Sequence, residues 1–398
     1  MLLSPRSSLD PMSQFPLDGR DDSLIVFSDD WGRHPSSCQH LVGKLLPELS
    51  ATWVNTIGMR PPRLDLLTLR RGGGKLRDWW STETSRRGET CPENLAVLNP
   101  RMWPWMSHRW DRALNARLLT RQLHDVSDGA VAVTTIPIVA DLVGRLPVRR
   151  WVYYCVDDFS VWPGLSAAAM RTMERSLLER VDCVVAASEN LAAAIRPLHP
   201  DVSVLTHGVD CDFWAQPTEE APAEIASLPR PLALFWGVVD RRMNADWVLA
   251  LADRLAAGTI VLAGPHQDPD PRLLSHPRIA AIGPVPFVQL PALARQASVL
   301  IMPYADLPVT RAMQPLKLKE YLATGVPVVA ADLPAVQPWS DCLQMVVNEQ
   351  DFVAATLQAL QQSRAGSTER NQRLAARLAD ESWQAKAAQF RTRILPNE

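Results

Sequence analysis

Between residue 23 and about residue 350, short apolar runs rich in β-branched side chains alternate with longer amphipathic segments. In the first half the runs are SLIVFS (23–28), ATWVNTI (51–57), LAVLN (95–99), GAVAVTTI (129–136), RWVYYCV (150–156), DCVVAAS (182–188) and VSVLTH (202–207). In the second half they are PLALFW (231–236), TIVLAG (259–264), RIAAIG (278–283), SVLIMP (298–303), VPVVAA (326–331) and QMVVN (344–348). A run that is apolar at nearly every position is covered on both faces, so these strands belong in parallel sheets flanked by helices. The pattern predicts an α/β chain with two Rossmann-like, doubly wound domains.

Residues 1–22 are polar and broken by Pro5, Pro11 and Pro16, the pattern of a loose tail. The first domain then takes 23–210 and the second 211–365. Their seam lies in HGVDCDFWAQPTEEAPAEIASLPRP (207–231), where a strand ends, proline recurs and acidic residues gather. From 366 to 398 the chain turns helical, with Ser367 placed as an N-cap and Glu369 in the first turn. Ligands of open α/β sheets bind outside the carboxyl ends of the strands, so the loops after strands are where chemistry is expected.

Composition narrows the function. The chain is 47% hydrophobic and 21% charged with a net charge of −2, which gives no electrostatic basis for a nucleic-acid partner. Six cysteines, Cys38, Cys91, Cys155, Cys183, Cys211 and Cys342, show no CxxC pair and read as reduced core residues. No apolar run approaches the ~18 residues of a membrane span, and the N-terminus lacks a continuous hydrophobic leader, so a cytoplasmic location is expected.

Only five of the 41 basic residues are lysines, and two of them, Lys317 and Lys319, fall in TRAMQPLKLKEYLATGVPVVA (310–330). Pro315 suits the first turn of a helix that Gly325 ends, with Leu318, Tyr321 and Leu322 on its buried side. Lys317 and Glu320 share another face near the helix start, at the carboxyl edge of the sheet. A helix start carries about +0.5 of an elementary charge and unpaired amides, so a lysine there suits a phosphate, and Arg311 just upstream can reach the same anion. Glu320, an acceptor, suits the paired hydroxyls of a ribose. The spacing equally fits a solvated pair on an ordinary amphipathic helix.

The stretch resembles the nucleotide-sugar-binding segment of GT-B fold glycosyltransferases, specifically relatives of glycosyltransferase family 4. There Pro-Leu-Lys leads into a glutamate, an aromatic residue and a Gly-x-Pro-Val-Val turn; here it reads PLKLKEYLATGVPVV. The resemblance covers nearly the whole chain, including HGVD at 207–210, a glycine loop opening the second domain and a final helical segment that by analogy crosses back to the first. One position departs: many family 4 enzymes carry two glutamates eight positions apart, and the place of the first is Ala312. The sequence resembles instead the branch with Thr310-Arg311 before the helix.

The resemblance assigns the remaining loops. WGVVDRRMNADW (236–247) corresponds to a diphosphate loop, where Gly237 admits close backbone approach and Arg241 and Arg242 add positive charge; a plain tight turn is the alternative. LAGPHQDPDP (262–271) ends a strand at Gly264, with His266 behind it. Its Asp268 and Asp270 share only loose spacing with a metal-binding DxD and are read as solvated, so no metal is expected. Pro286 and Phe287 line the base pocket by resemblance, or else open an ordinary helix; Tyr304 and Leu316 complete the donor-binding set.

In the first domain, Asp157 and Asp158 follow a buried strand in VYYCVDDFSVWPG (152–164), with Phe159 and Trp162 nearby. A carboxylate at a cleft edge can take the proton of an attacking hydroxyl, or it can cap a turn. A glucuronosyltransferase branch of the same fold has its general base on an aspartate in a similar place, which favours Asp157 and, in that branch, inversion. His34, in FSDDWGRHPSS (27–37), is a second acid–base or sugar-orienting candidate, or a surface or capping histidine. RRGGGKLRDWW (70–80) lacks the Ser or Thr of a P-loop and reads as a loop. Trp103, Trp105 and Trp110 among Arg101, Arg109 and Arg112 suit either a membrane interface or a cover over the core.

Taken together, the resemblance implies a metal-independent glycosyltransferase that moves a sugar from a nucleotide sugar, UDP-linked, to a glycan or lipid-linked acceptor in bacterial surface polysaccharide assembly. The donor is a substrate; no cofactor is implied. Peripheral contact with the inner membrane face is part of this expectation. A UDP-sugar epimerase of the same shape and a catalytically silent nucleotide-binding scaffold stay open. That neither domain has GxGxxG after its first strand argues against a Rossmann dehydrogenase.

Overall fold

The computed structural model describes residues 22–32, 36–56, 91–106, 108–162, 164–216, 219–361 and 368–395. Every apolar run forms a strand: β1 Ser23–Ser28, β2 Ser50–Asn55, β3 Leu95–Leu98, β4 Val131–Thr134, β5 Arg150–Cys155, β6 Cys183–Ala186, β7 Val202–Val204, β8 Leu232–Trp236, β9 Thr259–Ala263, β10 Ile279–Gly283, β11 Val299–Met302, β12 Val328–Ala331 and β13 Gln344–Val346. They assemble into a seven-stranded sheet ordered β3-β2-β1-β4-β5-β6-β7 and a six-stranded sheet ordered β10-β9-β8-β11-β12-β13. All pairings between these strands are parallel. Strands β4, β6, β8, β9, β11 and β12 are buried at every position, which is why their sequences show no alternation.

The helices are α1 Ser37–Leu45, α2 Arg109–Leu123, α3 Ala167–Leu178, α4 Glu189–Ile195, α5 Cys211–Ala215, α6 Ala245–Arg254, α7 Pro271–Ser275, α8 Leu290–Gln296, α9 Pro308–Ala312, α10 Leu316–Ala323, α11 Glu349–Gln361, α12 Thr368–Ala379 and α13 Trp383–Ile394. Several begin as their sequences require, with Ser36, Ser166, Ser188, Asn244 and Ser382 each accepting a bond from a backbone N–H in the first turn.

Two separate cores result, one per sheet, and the C-terminal helices divide between them. Leu374 and Leu378 of α12 lie in the second core, whereas Trp383, Ala387, Phe390 and Ile394 of α13 lie in the first. The chain therefore crosses back, and α13 packs against α1 and β6. Burial of Phe390 and Ile394, both at 0% exposure, contributes roughly 1.5–3 kcal/mol each to this tie. At the crossing point Gly208 lies against Trp383, and a Cβ at 208 would stand 2.7 Å from its ring.

A buried polar staple joins the two lobes at the same place. Lys319, on α10 of the second lobe, is 3% exposed. Its ammonium donates to the Thr206 hydroxyl (3.1 Å), to the His207 carbonyl and to the Glu381 carboxylate. Lys386 pairs with the same carboxylate at 2.9 Å. Burial, partly offset by Glu381, brings the Lys319 ammonium down to about 8.

One sequence expectation needs correction, and one pair of alternatives divides between residues. All six cysteines are free, but Cys91 is exposed and Cys211 half-buried, so they are not uniformly core residues. The tryptophan segment also splits. Trp103 is structural, its indole donating to Asp111 (2.9 Å) and its backbone to Asn115 (2.6 Å), both buried on α2; Trp110 stands 58% exposed. His34, Ser367 and the segment 70–80 lie outside the described residues.

Candidate active site

In each sheet the strand order reverses at one point, between β1 and β4 and between β8 and β11, and a doubly wound sheet opens its ligand crevice there. In the second sheet the loop after β8 starts at Gly237, and the loop after β11 contains Tyr304. The two loops are joined by a Met243–Tyr304 bridge and by the Asn244 N–H donating to the Pro303 carbonyl (2.8 Å).

Lys317 reaches this reversal point. Helix α10 starts beyond Pro315, so residue 317 lies in its first turn, and the side chain is directed back over the loop. Its Nζ is 4.4 Å from the centroid of the Phe235 ring and 5.2 Å from that of Tyr304. Gly237, with φ +132°, makes room: a Cβ there would stand 2.0 Å from Lys317 Nζ. Gly264 has a different task. A Cβ at 264 would fall 2.0 Å from the Gly237 carbonyl oxygen, so this glycine lets the second loop pack beneath the first.

Glu320 is held beside the lysine. The Trp236 indole donates to its carboxylate at 3.4 Å, and Tyr321 on the same helix accepts at its hydroxyl from the Trp236 backbone N–H at 3.0 Å. Trp236 is fixed in turn by stacking on Trp214 of α5, with centroids 5.2 Å apart. Burial pushes the Glu320 carboxyl up to about 7, against the opposing effects of the Trp236 indole and Lys317. Leu316, the neighbour of Lys317, packs against the first lobe's core, so the start of α10 is one of the places where the second lobe meets the first.

From the first lobe comes the β5 loop. Asp158 caps the short turn Phe159–Val161, accepting from the Ser160 N–H at 2.9 Å. No such bond engages the half-buried Asp157 carboxylate among the described residues. Burial pushes it up to about 7; Arg242 of the second lobe acts to lower it and Asp158 to raise it. The pair is thus held differently: Asp158 caps the turn, and Asp157 is the carboxylate on which Arg242 of the second lobe acts.

Other expected residues sit elsewhere. Arg241 is exposed and engaged by Asp268, at 3.2 Å, while Arg242 faces the cleft. Arg311 is likewise exposed and paired with Asp306 at 3.1 Å; its carbonyl, rather than its guanidinium, meets the first lobe through Asn190 (3.1 Å). Tyr304 is 4% exposed and backs Lys317 with its ring. Pro286 is exposed, and Phe287 stacks on Phe213 at 4.9 Å, 6.5 Å from His40 of the first lobe. Asp270 caps α7 and pairs with Arg272 at 2.8 Å. Among the described residues no group of three or more His, Cys, Asp or Glu side chains could hold a metal ion. Nor is any helix among them long and apolar enough to cross a membrane.

The sequence reading missed the structural weight of Trp236 and Trp214 and the buried Ser28–Thr135 hydroxyl contact (2.7 Å) at the β1/β4 reversal. A tryptophan closing an otherwise aliphatic strand was the available signal for the first.

Two lobes of this topology with a helix crossing back define the GT-B fold. Residues 230–362, which include all of β8 to β13, match the model of the family described as Glycosyl transferases group 1. A Bacillus subtilis protein, TuaH, whose name describes a teichuronic acid biosynthesis glycosyltransferase, is 23% identical over 175 residues, 42% of this chain and 44% of that one. The match thus spans less than half of that relative. Among solved structures, an Escherichia coli trehalose-6-phosphate protein bound with UDP-2-fluoro glucose has a TM-score of 0.67 at 13% identity, covering 95% of this chain and all of that one. Sucrose-phosphate synthase of Thermosynechococcus elongatus has a TM-score of 0.66 at 13% identity over 93% and 97% of the two chains. Anabaena HepE in complex with UDP-glucose has one of 0.62 at 12% identity over 92% and 97%.

Proposed function

We propose that the protein transfers a sugar from a nucleoside diphosphate sugar, UDP-linked, to a hydroxyl of a glycan or lipid-linked acceptor in surface polysaccharide assembly. The observation that carries this reading is the Lys317 ammonium poised over Gly237 at the strand-order reversal, with Glu320 beside it and Asp157 offered from the opposite lobe. TuaH's name, and the UDP-sugar complexes among the similar structures, support the donor and pathway class.

The residues divide the chemistry between them. Asp157 takes the proton from the acceptor hydroxyl, whose oxygen bonds to the sugar's anomeric carbon on the face opposite the leaving group, so the centre inverts. As that carbon's bond to the phosphate oxygen breaks, its electron pair leaves with the nucleoside diphosphate, and Lys317 meets the charge that develops there. Glu320 binds hydroxyls of the ribose, and Phe287 with Phe213 forms the wall of the base pocket. The acceptor's lipid end is met by α2. Its exposed side carries Trp110 and Leu114 with Arg109, Arg117 and Arg121, and its one acidic residue, Asp111, is buried.

Incubation with UDP-sugars, with and without a polyprenyl-phosphate-linked glycan, tests the reading. Acceptor-dependent release of UDP supports it; conversion of donor alone into an isomer would assign an epimerase instead.

A further inference from the structure

Arg242 is built differently from the arginine next to it. Its guanidinium is fixed at the root by Asp240, with Nε 3.0 Å from both carboxylate oxygens and Nη2 2.8 Å from one. Its backbone N–H donates to Asp240 (2.9 Å), and its carbonyl accepts from Ala305 (2.8 Å) in the loop after β11. The side chain is only 20% exposed. From this anchorage on the second lobe it crosses to the first, where its Cζ lies 5.9 Å from the centroid of the Trp162 ring. Trp162 itself packs on Phe159, so the ring it meets belongs to the loop that carries Asp157.

Resting on the transferase reading, we propose that Arg242 is a positioning residue carried by the donor lobe that favours the proton-accepting, anionic form of Asp157 when the lobes are together. Within its own lobe Asp157 has surroundings that favour the neutral acid. Asp158 stands beside it as a like charge that also acts on Glu174, and Tyr154 and Cys155 behind it are buried and neutral. Arg242 is the cation that acts on it, and it comes from the other lobe. Base activation is thereby coupled to lobe closure: an acceptor hydroxyl meets a competent base only once the donor lobe is in place, which limits chemistry in the open state.

The test uses the full chain as Arg242→Gln and Arg242→Lys, with Trp162→Ala as a second disruption of the contact. In Arg242→Gln the acidic limb of kcat should move up by about one pH unit, so transfer falls about tenfold at pH 6 and little at pH 9, with the donor KM within about twofold of wild type. Lysine should restore part of the limb, and Trp162→Ala should shift it in the same direction. A pH-independent loss confined to donor KM would overturn the proposal and make Arg242 a diphosphate ligand. The titration of the Asp157 carboxyl, followed by 13C NMR in wild type and Arg242→Gln, gives a readout that needs no transfer. An upward shift of its midpoint in the variant supports the proposal even if the donor assignment fails, and an unchanged midpoint ends it.

Discussion

The Lys317 ammonium occupies the space that a side chain at Gly237 would need, with Nζ 2.0 Å from the position of a Cβ there. Lysine and glycine are 80 positions apart and form one device, a cation laid over a bare stretch of backbone. Gly237→Ala should displace the ammonium and also strain a backbone at φ +132°. Transfer should fall by about 10²-fold or more. Lys317→Met should cost a comparable factor while leaving the melting temperature close to wild type, because the ammonium rests on the Phe235 and Tyr304 rings and Glu320, raised to about 7, can hold a proton in its absence. Steady-state kinetics with thermal melts of both variants check this.

Asp157 and Asp158 should behave oppositely. Asp157→Asn removes the proton acceptor and should lower transfer by about 10²–10⁴-fold, whereas Asp158→Asn keeps an oxygen for the Ser160 cap and should stay within about fivefold of wild type. Wild-type activity should rise through pH 7, where the Asp157 carboxyl ionises. Stability should run the other way. Asp157 and Glu320 both hold protons in the native state up to about pH 7, well above their ordinary values. These two groups contribute stability that falls as pH rises through 7, whereas His40 and His207, which burial holds neutral down to about 4 and 3, contribute the opposite trend below about pH 6.5. Asp157→Asn should flatten that slope and melt higher than wild type at pH 8.

The buried staple makes a prediction about asymmetry. Glu381→Gln would leave Lys319 and Lys386 without their shared carboxylate and should destabilise by about 3–5 kcal/mol. Lys319→Met removes a buried charge while Glu381 keeps Lys386, and should cost less than about 2 kcal/mol. Denaturant titrations of the two variants settle the order; a larger loss in Lys319→Met would contradict this account of the staple.

Helix α2 predicts binding to anionic surfaces. Wild type should float with vesicles containing phosphatidylglycerol and not with pure phosphatidylcholine, and Trp110→Ser with Leu114→Ser should abolish flotation without loss of fold. Unchanged flotation in that double variant would remove α2 from the reading.

The strands were legible because parallel sheets buried on both faces leave uninterrupted apolar runs, and helices between them leave little else to choose. Gly237, Lys317, Glu320 and Asp157 were legible for a related reason: each stands just after a strand or at a helix start, where local sequence determines which way the backbone points. What was not legible depended on distant partners. Arg241 and Arg242 are adjacent and chemically identical, and the choice between them is made by Asp268, 27 residues on, and by Trp162 from the other lobe. Lys319 carries no role that its own stretch reveals, because its partners are Glu381, 62 residues away, and Thr206, 113 away. Arg311 was read from its proximity to the helix, and Asp306 draws its side chain off.

The central claim is that the Lys317–Gly237 reversal point grips the pyrophosphate of an activated sugar. Thermal melting with a panel of nucleoside diphosphates and their sugars tests it directly, because a ligand of the native state raises the transition. The account predicts a saturable rise with UDP, a further rise with one UDP-sugar, retention of both in Asp157→Asn, and their loss in Lys317→Met. A rise of equal size in Lys317→Met, or none with any nucleoside diphosphate, would contradict it.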